Sequence, residues 1–330
     1  MKNTLALAIS AENPIEEFHG VATDFDGVVS HHSRADIAEK MLPVLVERSL
    51  GKGVPLAIIT GKELADAQRE IIEPIRRQIA QLRLNVAPQE AMVYANNGSV
   101  VYDMATEKII ERRIFNFSLL EAISDLPGIR HLLELYEHID NIRGRVNGQL
   151  TNTHFRQMDN STICLRIDPD DLNHGDIDPI LASRLKIFSG KNRPTRFDIA
   201  KALRAQFAAA GFEGIQISST DRSIDITPAG SGKRNSLEDF AKRNNLAPDD
   251  FLRFGDSPTG MDYGLLAAFP GEKRSGFSNV SLQPDELQAL SAIPEFAGTE
   301  FPRVIEEAGD QFEKVEAFLQ QARMVPKKRA

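Results

Sequence analysis

Cysteine is almost absent from this chain: Cys164 stands alone among 330 residues. A single thiol builds neither an internal disulfide framework nor a cysteine-ligated zinc site, and in a chain of this length it fits a reducing compartment. Its ordinary place is a packed core. Long apolar runs are missing too, since none approaches the ~20 residues that span a bilayer. Positive charge is in deficit, with 39 Lys and Arg against 47 Asp and Glu and a net charge of −8. Such a surface has no general attraction for nucleic acid or for anionic lipid. Any anionic ligand must therefore be held by local devices. Near the N-terminus, Lys2 precedes the short apolar run Leu5-Ala6-Leu7-Ala8-Ile9, which falls below the ~7–15 residues of a secretory signal core. The polar segment Glu12 to Glu17 follows without a convincing cleavage site. The expected location is the cytoplasm.

What is present is an ordinary globular composition, 42% hydrophobic and 26% charged, in a chain long enough for two domains. Three short apolar runs each stop at a polar residue: Val21-Ala22-Thr23 before Asp24, Leu56-Ala57-Ile58-Ile59 before Thr60, and Phe251-Leu252-Arg253-Phe254 before Gly255-Asp256. They read as buried strands. Ile37, Met41, Leu42, Val44 and Leu45 recur at helical spacing between the first two, as a βαβ crossover requires. A second helix is expected after Thr60 through Leu64, Ile71, Ile75, Ile79 and Leu82, with Pro74 kinking or interrupting it. Leu237, Phe240 and Leu246 mark another. In open parallel α/β sheets, ligands collect beyond the carboxyl ends of the strands. The three polar stops should meet there.

Between these segments the pattern changes. Thr162 to Ile167 alternate polar and apolar, and Ile215-Gln216-Ile217 is answered by Ile224-Asp225-Ile226 across a polar turn, which suggests antiparallel strands. The expected organisation is α/β: a Rossmann-like parallel-sheet core formed by residues 1–112 and 226–330, with an inserted α/β cap domain at 113–225. The basic cluster Lys327-Lys328-Arg329 reads as a solvated tail.

Asp24-Phe25-Asp26-Gly27-Val28 directly follows a strand, so Asp24 and Asp26 point to one side and Gly27 permits a tight turn. Phosphoryl transfer suits this arrangement: one carboxylate attacks phosphorus and the other protonates the leaving oxygen, while magnesium offsets the repulsion. An Asx-turn or a calcium loop has the same appearance. Thr60-Gly61 offers a hydroxyl and backbone N–H groups at a helix start, either a phosphate seat or simply an N-cap. Lys62 beside it reads as solvated or as reaching substrate. Gly230-Ser231-Gly232-Lys233 puts a lysine where the helix dipole disfavours a cation, a conflict that a bound anion resolves; an exposed, flexible lysine is the alternative. Gly255-Asp256-Ser257, with Asp262 after it, adds carboxylates at the same edge. Magnesium would be held by Asp24, the backbone carbonyl of Asp26 and Asp256, with Asp262 orienting the shell or serving as a helix N-cap.

These segments, in this order, resemble the haloacid dehalogenase-like superfamily. The long insert before Lys233, with Tyr94-Ala95-Asn96-Asn97-Gly98-Ser99 and Ile224-Asp225-Ile226-Thr227-Pro228 flanking it, is similar to the Cof-type and sucrose-phosphatase-like branch. The resemblance implies Asp24 as nucleophile, Asp26 as general acid/base, Thr60 and Lys233 as phosphate ligands, and Asp24, Asp26 and Asp256 around Mg2+. Two departures stand out. The final aspartate lies six residues after Asp256, where the branch usually spaces it four, so Asp262 is expected to take over that role after a two-residue insertion. Lys62 stands where relatives often carry arginine.

The implied activity is a magnesium-dependent phosphomonoester hydrolase acting on a sugar phosphate or similar small phosphorylated metabolite, without nucleic acid or membrane partners. A phosphomutase of the phosphomannomutase type is the neighbouring alternative, and a catalytically silent phosphosugar-binding protein is a third, against which both carboxylates of the first motif argue. Lys62 and Asn97 are the candidate substrate contacts; Asn97, Arg166 and the loop Ser218 to Ser223 face either a ligand or solvent. Substrate identity and oligomeric state are not legible in the sequence.

Overall fold

A computed structural model describes residues 17–31, 35–115, 122, 155–158, 162–166, 196–212, 215–219, 223–258, 261–280, 298–305 and 310–327. The N-terminal apolar run, the side chains of Cys164 and Arg166, and the end of the basic tail lie outside the described residues. The chain divides into two compact units, one formed by Met1–Arg112 and Gly232–Ala330 and the other by Arg113–Ser231. The second unit thus runs past the expected boundary at 225, because the strand that begins at Ser223 pairs within it.

The first unit carries β1 (Glu17–Phe18), paired in parallel with Arg323–Met324, and is built on an eight-stranded sheet. Its strands are β2 (Gly20–Thr23), β3 (Leu56–Ile59), β4 (Ala91–Ala95), β5 (Val100–Asp103), β6 (Lys108–Arg112), β11 (Phe251–Gly255), β12 (Gly276–Ser278) and β13 (Arg303–Val304), in the order β13-β12-β11-β2-β3-β4-β5-β6. All neighbours from β13 to β4 are parallel, and β5 and β6 close the sheet as antiparallel strands. Both faces are covered, which is why the three central strands read as unbroken apolar runs. Val21, Leu56, Ile58, Leu252 and Phe254 point into one layer with helix α1 (Ala35–Arg48), and Ala22, Ala57, Ile59 and Phe251 into the other with helix α5 (Lys233–Arg243). Register pairs Thr23 with Ile58 and with Phe254. The three strands therefore end level, and the residues after them share one sheet edge.

Past β3 the helix expected to kink at Pro74 does so by widening. An α turn at Leu64–Ala67 (α2) passes into a π turn at Gln68–Ile72 and returns to α geometry at Glu73–Gln81 (α3). Proline has no N–H for the carbonyl of residue i−4, here Glu70, and a π turn is one way a helix absorbs such a fault.

In the second unit four antiparallel strands stand in the order β7-β8-β10-β9: β7 (Phe155–Met158), β8 (Thr162–Arg166), β9 (Gln216–Ser219) and β10 (Ser223–Thr227). Helix α4 (Arg196–Ala209) packs on β9 and β10. Its Ile199, Leu203 and Phe207 are buried, as are Ile217, Ile224 and Ile226.

Candidate active site

Asp24 leaves the end of β2 with its side chain 11% exposed. Its Oδ1 accepts the Phe25 N–H at 2.7 Å, and Lys233 Nζ lies 2.9 Å from its Oδ2. The chain then turns through Gly27 at φ +74°, a left-handed conformation that glycine takes without strain. A Cβ there would fall 1.6 Å from Asp256 Oδ2. The glycine thus serves the site twice, by turning the loop and by letting the carboxylate of the third strand approach it. Asn279 Nδ2 donates to the Gly27 carbonyl at 2.9 Å and ties the loop to the end of β12.

Lys233 opens α5 with its side chain 3% exposed, so it is not the flexible surface lysine of the alternative reading. Its ammonium bridges Asp24 and Asp262. Burial works against its charge, but the two carboxylates outweigh burial and raise its pKa above the ordinary lysine value. Asp24 is pushed up to about 7, by burial first and by the Asp262 charge second, with Lys233 pulling the other way. The ammonium therefore does not fully neutralise the carboxylates.

Asp262 occupies the N-cap position of a short helix, α6 (Tyr263–Leu266), yet its side chain makes no cap bond there. It turns back, and Oδ2 accepts the N–H groups of Asp256 and Ser257, each at 2.9 Å, while Oδ1 takes Lys233. Gly255 makes room, since a Cβ would sit 2.6 Å from the Asp262 carboxyl carbon. The six-residue spacing is closed by Asp262 N–H donating to Ser257 O at 3.2 Å. Asp24, Asp256 and Asp262 each offer an oxygen within 4.8 Å of the others. Three carboxylates against one ammonium leave excess negative charge, and hard oxygen donors are what magnesium takes. The residues fit the ion.

Thr60 is fully buried, and its hydroxyl accepts the Lys62 N–H at 3.1 Å. The following helix has Glu63 at its N-cap, so Thr60 closes a turn and does not cap the helix. Gly61 lies where a Cβ would meet Asn97 Oδ1 at 3.2 Å. Asn97 is buried in the hairpin between β4 and β5, where Asn96 and Asn97 adopt φ +49° and +53°. Its N–H donates to Thr60 O, its carbonyl accepts the Gly232 N–H, and Asn96 N–H donates to Lys62 O. This hairpin tip links the loop after β3 to the residue preceding Lys233, a role the sequence reading does not anticipate. Lys62 Nζ lies 3.0 Å from Asp26 Oδ1 and 2.9 Å from Glu70 Oε2. Burial opposes its charge, yet these carboxylates raise its pKa. Glu70 is absent from the sequence-derived candidates, because nothing in the chain order signals that it meets Lys62.

A family model for haloacid dehalogenase-like hydrolases matches residues 21–267. Among solved structures, a protein of Streptococcus mutans UA159 is 11% identical over 92% of this chain and 98% of its own, with a TM-score of 0.53. A protein of Plasmodium vivax assigned as HAD/COF-like hydrolase is 15% identical over 92% of this chain and 95% of its own, with a TM-score of 0.52. The sucrose-phosphatase of Synechocystis sp. PCC6803 is 16% identical over 93% of this chain and 98% of its own, with a TM-score of 0.48. At these identities the likeness is one of fold. No curated protein sequence matches the chain.

Proposed function

Because the chain belongs to the haloacid dehalogenase-like hydrolase family, we propose that it is a magnesium-dependent phosphomonoester hydrolase acting through an aspartyl-phosphate on Asp24. The observation that carries this reading is the buried ion pair of Asp24 and Lys233, set beside Asp256 and Asp262 at the carboxyl edge of the sheet. Asp24 attacks phosphorus in line with the leaving oxygen, and Asp26, two residues on, protonates that oxygen. Asp26 then takes a proton from the water that hydrolyses the acyl phosphate. Lys233, the Thr60 hydroxyl and the Gly61 N–H face the charge on the transferring phosphoryl group. Asp24, the Asp26 carbonyl and Asp256 would hold magnesium, which when bound offsets repulsion between carboxylate and phosphate. The oxygens of Asp262 are engaged by Lys233 and two N–H groups, which supports an orienting role for it.

The unit Arg113–Ser231 is proposed to select the leaving group, a sugar or similar small metabolite, with Asn97 and Lys62 as further contacts. Among the described residues no helix is long and apolar enough to cross a membrane. The cytoplasmic location is proposed on the single cysteine. The test is a phosphate-release screen across sugar phosphates and other phosphomonoesters with magnesium. Release that stops with EDTA supports the reading, and undiminished turnover after exhaustive chelation overturns the metal requirement. Conversion of a hexose phosphate to its isomer in the presence of a bisphosphate, without phosphate release, would identify a mutase instead.

A further inference from the structure

Lys62 stands between two carboxylates, and only one of them belongs to the machinery above. Its ammonium lies 3.0 Å from Asp26 Oδ1 and 2.9 Å from Glu70 Oε2, with the lysine side chain 14% exposed. It also sits 5.6 Å from the centre of the Phe25 ring. Glu70 also meets the exposed Arg69, whose Nη2 lies 2.6 Å from its Oε1 and 2.8 Å from Asp66 Oδ1. It is carried by the π turn Gln68–Ile72, in the irregular stretch where Pro74 leaves the Glu70 carbonyl without its usual donor. π turns recur at functional positions in helices. A lysine on a four-carbon stem is a loose partner unless something holds its far side.

We propose that Glu70 is a positioning residue, which pins Lys62 against Asp26 and so fixes the Asp26 carboxyl where the leaving oxygen must receive its proton. The inference rests on the Asp24 and Asp26 roles proposed above. In that step a bond forms between an Asp24 oxygen and phosphorus, and the bond from phosphorus to the ester oxygen breaks. The electron pair stays on the departing oxygen and takes the proton from Asp26, which is left as a carboxylate facing Lys62. An alkoxide needs that proton before it can leave, whereas p-nitrophenolate leaves without it. A misplaced Asp26 should therefore penalise alkyl esters selectively. The selectivity belongs in kcat/KM, which covers the steps up to leaving-group release and excludes hydrolysis of the acyl phosphate.

The experiment measures kcat/KM of the full chain for p-nitrophenyl phosphate and for β-glycerol phosphate in E70Q, K62M and the double variant. For E70Q the expected result is a drop of about tenfold on β-glycerol phosphate, a fraction of the about 10²–10⁴ that general acid catalysis is worth. The loss on p-nitrophenyl phosphate should stay within about twofold, because its leaving group needs no proton. In the K62M background E70Q should add nothing, since Glu70 is argued to act only through Lys62. Glu70 is partly exposed, so E70Q is expected to fold, and E70A provides a second variant. Equal losses on the two esters, or effects that add in the double variant, would overturn the proposal and make Glu70 a structural residue. D26N separates this from failure of the underlying reading. If D26N discriminates between the esters and E70Q does not, only the Glu70 inference falls; if D26N loses equally on both, the acid role of Asp26 falls and takes the inference with it.

Discussion

Replacing Asp24 with Asn should stabilise the metal-free protein, and by an amount that depends on pH. Asp24 titrates near 7 in the fold against 3.8 for the unperturbed group. Below the unfolded value both states hold the proton, and substitution by a neutral amide changes little. Between the two values the unfolded chain ionises while the folded one stays protonated, so the wild type loses stability as pH rises. Above 7 both states are ionised and the difference levels off. A shift of about three units at about 1.4 kcal/mol per unit gives a ceiling of about 4 kcal/mol. Reorganisation around a carboxylate that retains some solvent access should reduce this to about 2 kcal/mol. The assay is urea denaturation of EDTA-treated wild type and D24N, followed by circular dichroism from pH 4 to pH 8. The gap should open between pH 4 and pH 7 in favour of the variant, and magnesium at pH 8 should narrow it by binding the wild type selectively. A gap that is constant with pH, or that favours the wild type at pH 8 without metal, would refute the claim that burial and Asp262 crowd this carboxylate.

The same substitution should abolish phosphate release, and more than a few per cent residual turnover in a pure sample would reject Asp24 as nucleophile. Lys233→Met leaves Asp24 and Asp262 without their shared ammonium and should cost about 3–5 kcal/mol by denaturation, with a loss below about 1 kcal/mol arguing that the pair holds nothing together. Gly27→Ala forces a side chain into a left-handed turn and against Asp256; turnover should fall more than about tenfold while the protein still folds, and unchanged turnover would free Asp256 from the site. Arg253→Met removes donors to Ser275 Oγ, Leu265 O and Ala267 O from a fully buried guanidinium whose pKa burial depresses to about 10. The orphaned acceptors should lower stability by about 1–3 kcal/mol, and a melt unmoved by the change would show that water replaces the guanidinium without loss.

The parts of this fold most legible in the sequence are those buried on both faces. β2, β3 and β11 announce themselves as apolar runs because no face of theirs meets water, and their polar stops mark the ligand edge. β4 is equally buried but ends in an asparagine turn that reads as loop, so its place in the sheet is hidden. The helix Gln311–Gln321 has a readable start, a capping box formed by Asp310 and Glu313, which the apolar patterning alone passes over. For the site, spacing brings Asp24, Lys233 and Asp256 to one edge but cannot orient a side chain. Asp262 illustrates the limit: its position is that of an N-cap, and only the backbone N–H groups of Asp256 and Ser257 reveal where its carboxylate turns. Glu70 was beyond reach for a similar reason, since its meeting with Lys62 depends on the course of an irregular helix.

The hairpin tip at Asn96 and Asn97 binds the loop after β3 and the approach to Lys233 through main-chain groups: Asn96 N–H to Lys62 O, Asn97 N–H to Thr60 O, and Gly232 N–H to Asn97 O. Bonds of this kind are sensitive to handedness, since both residues sit at positive φ. In a library of variants at this tip, survival should sort by tolerance of positive φ, with Gly and Asp retained and β-branched residues eliminated. The catalytic edge thereby inherits a constraint on backbone shape that is separate from anything the two side chains contact.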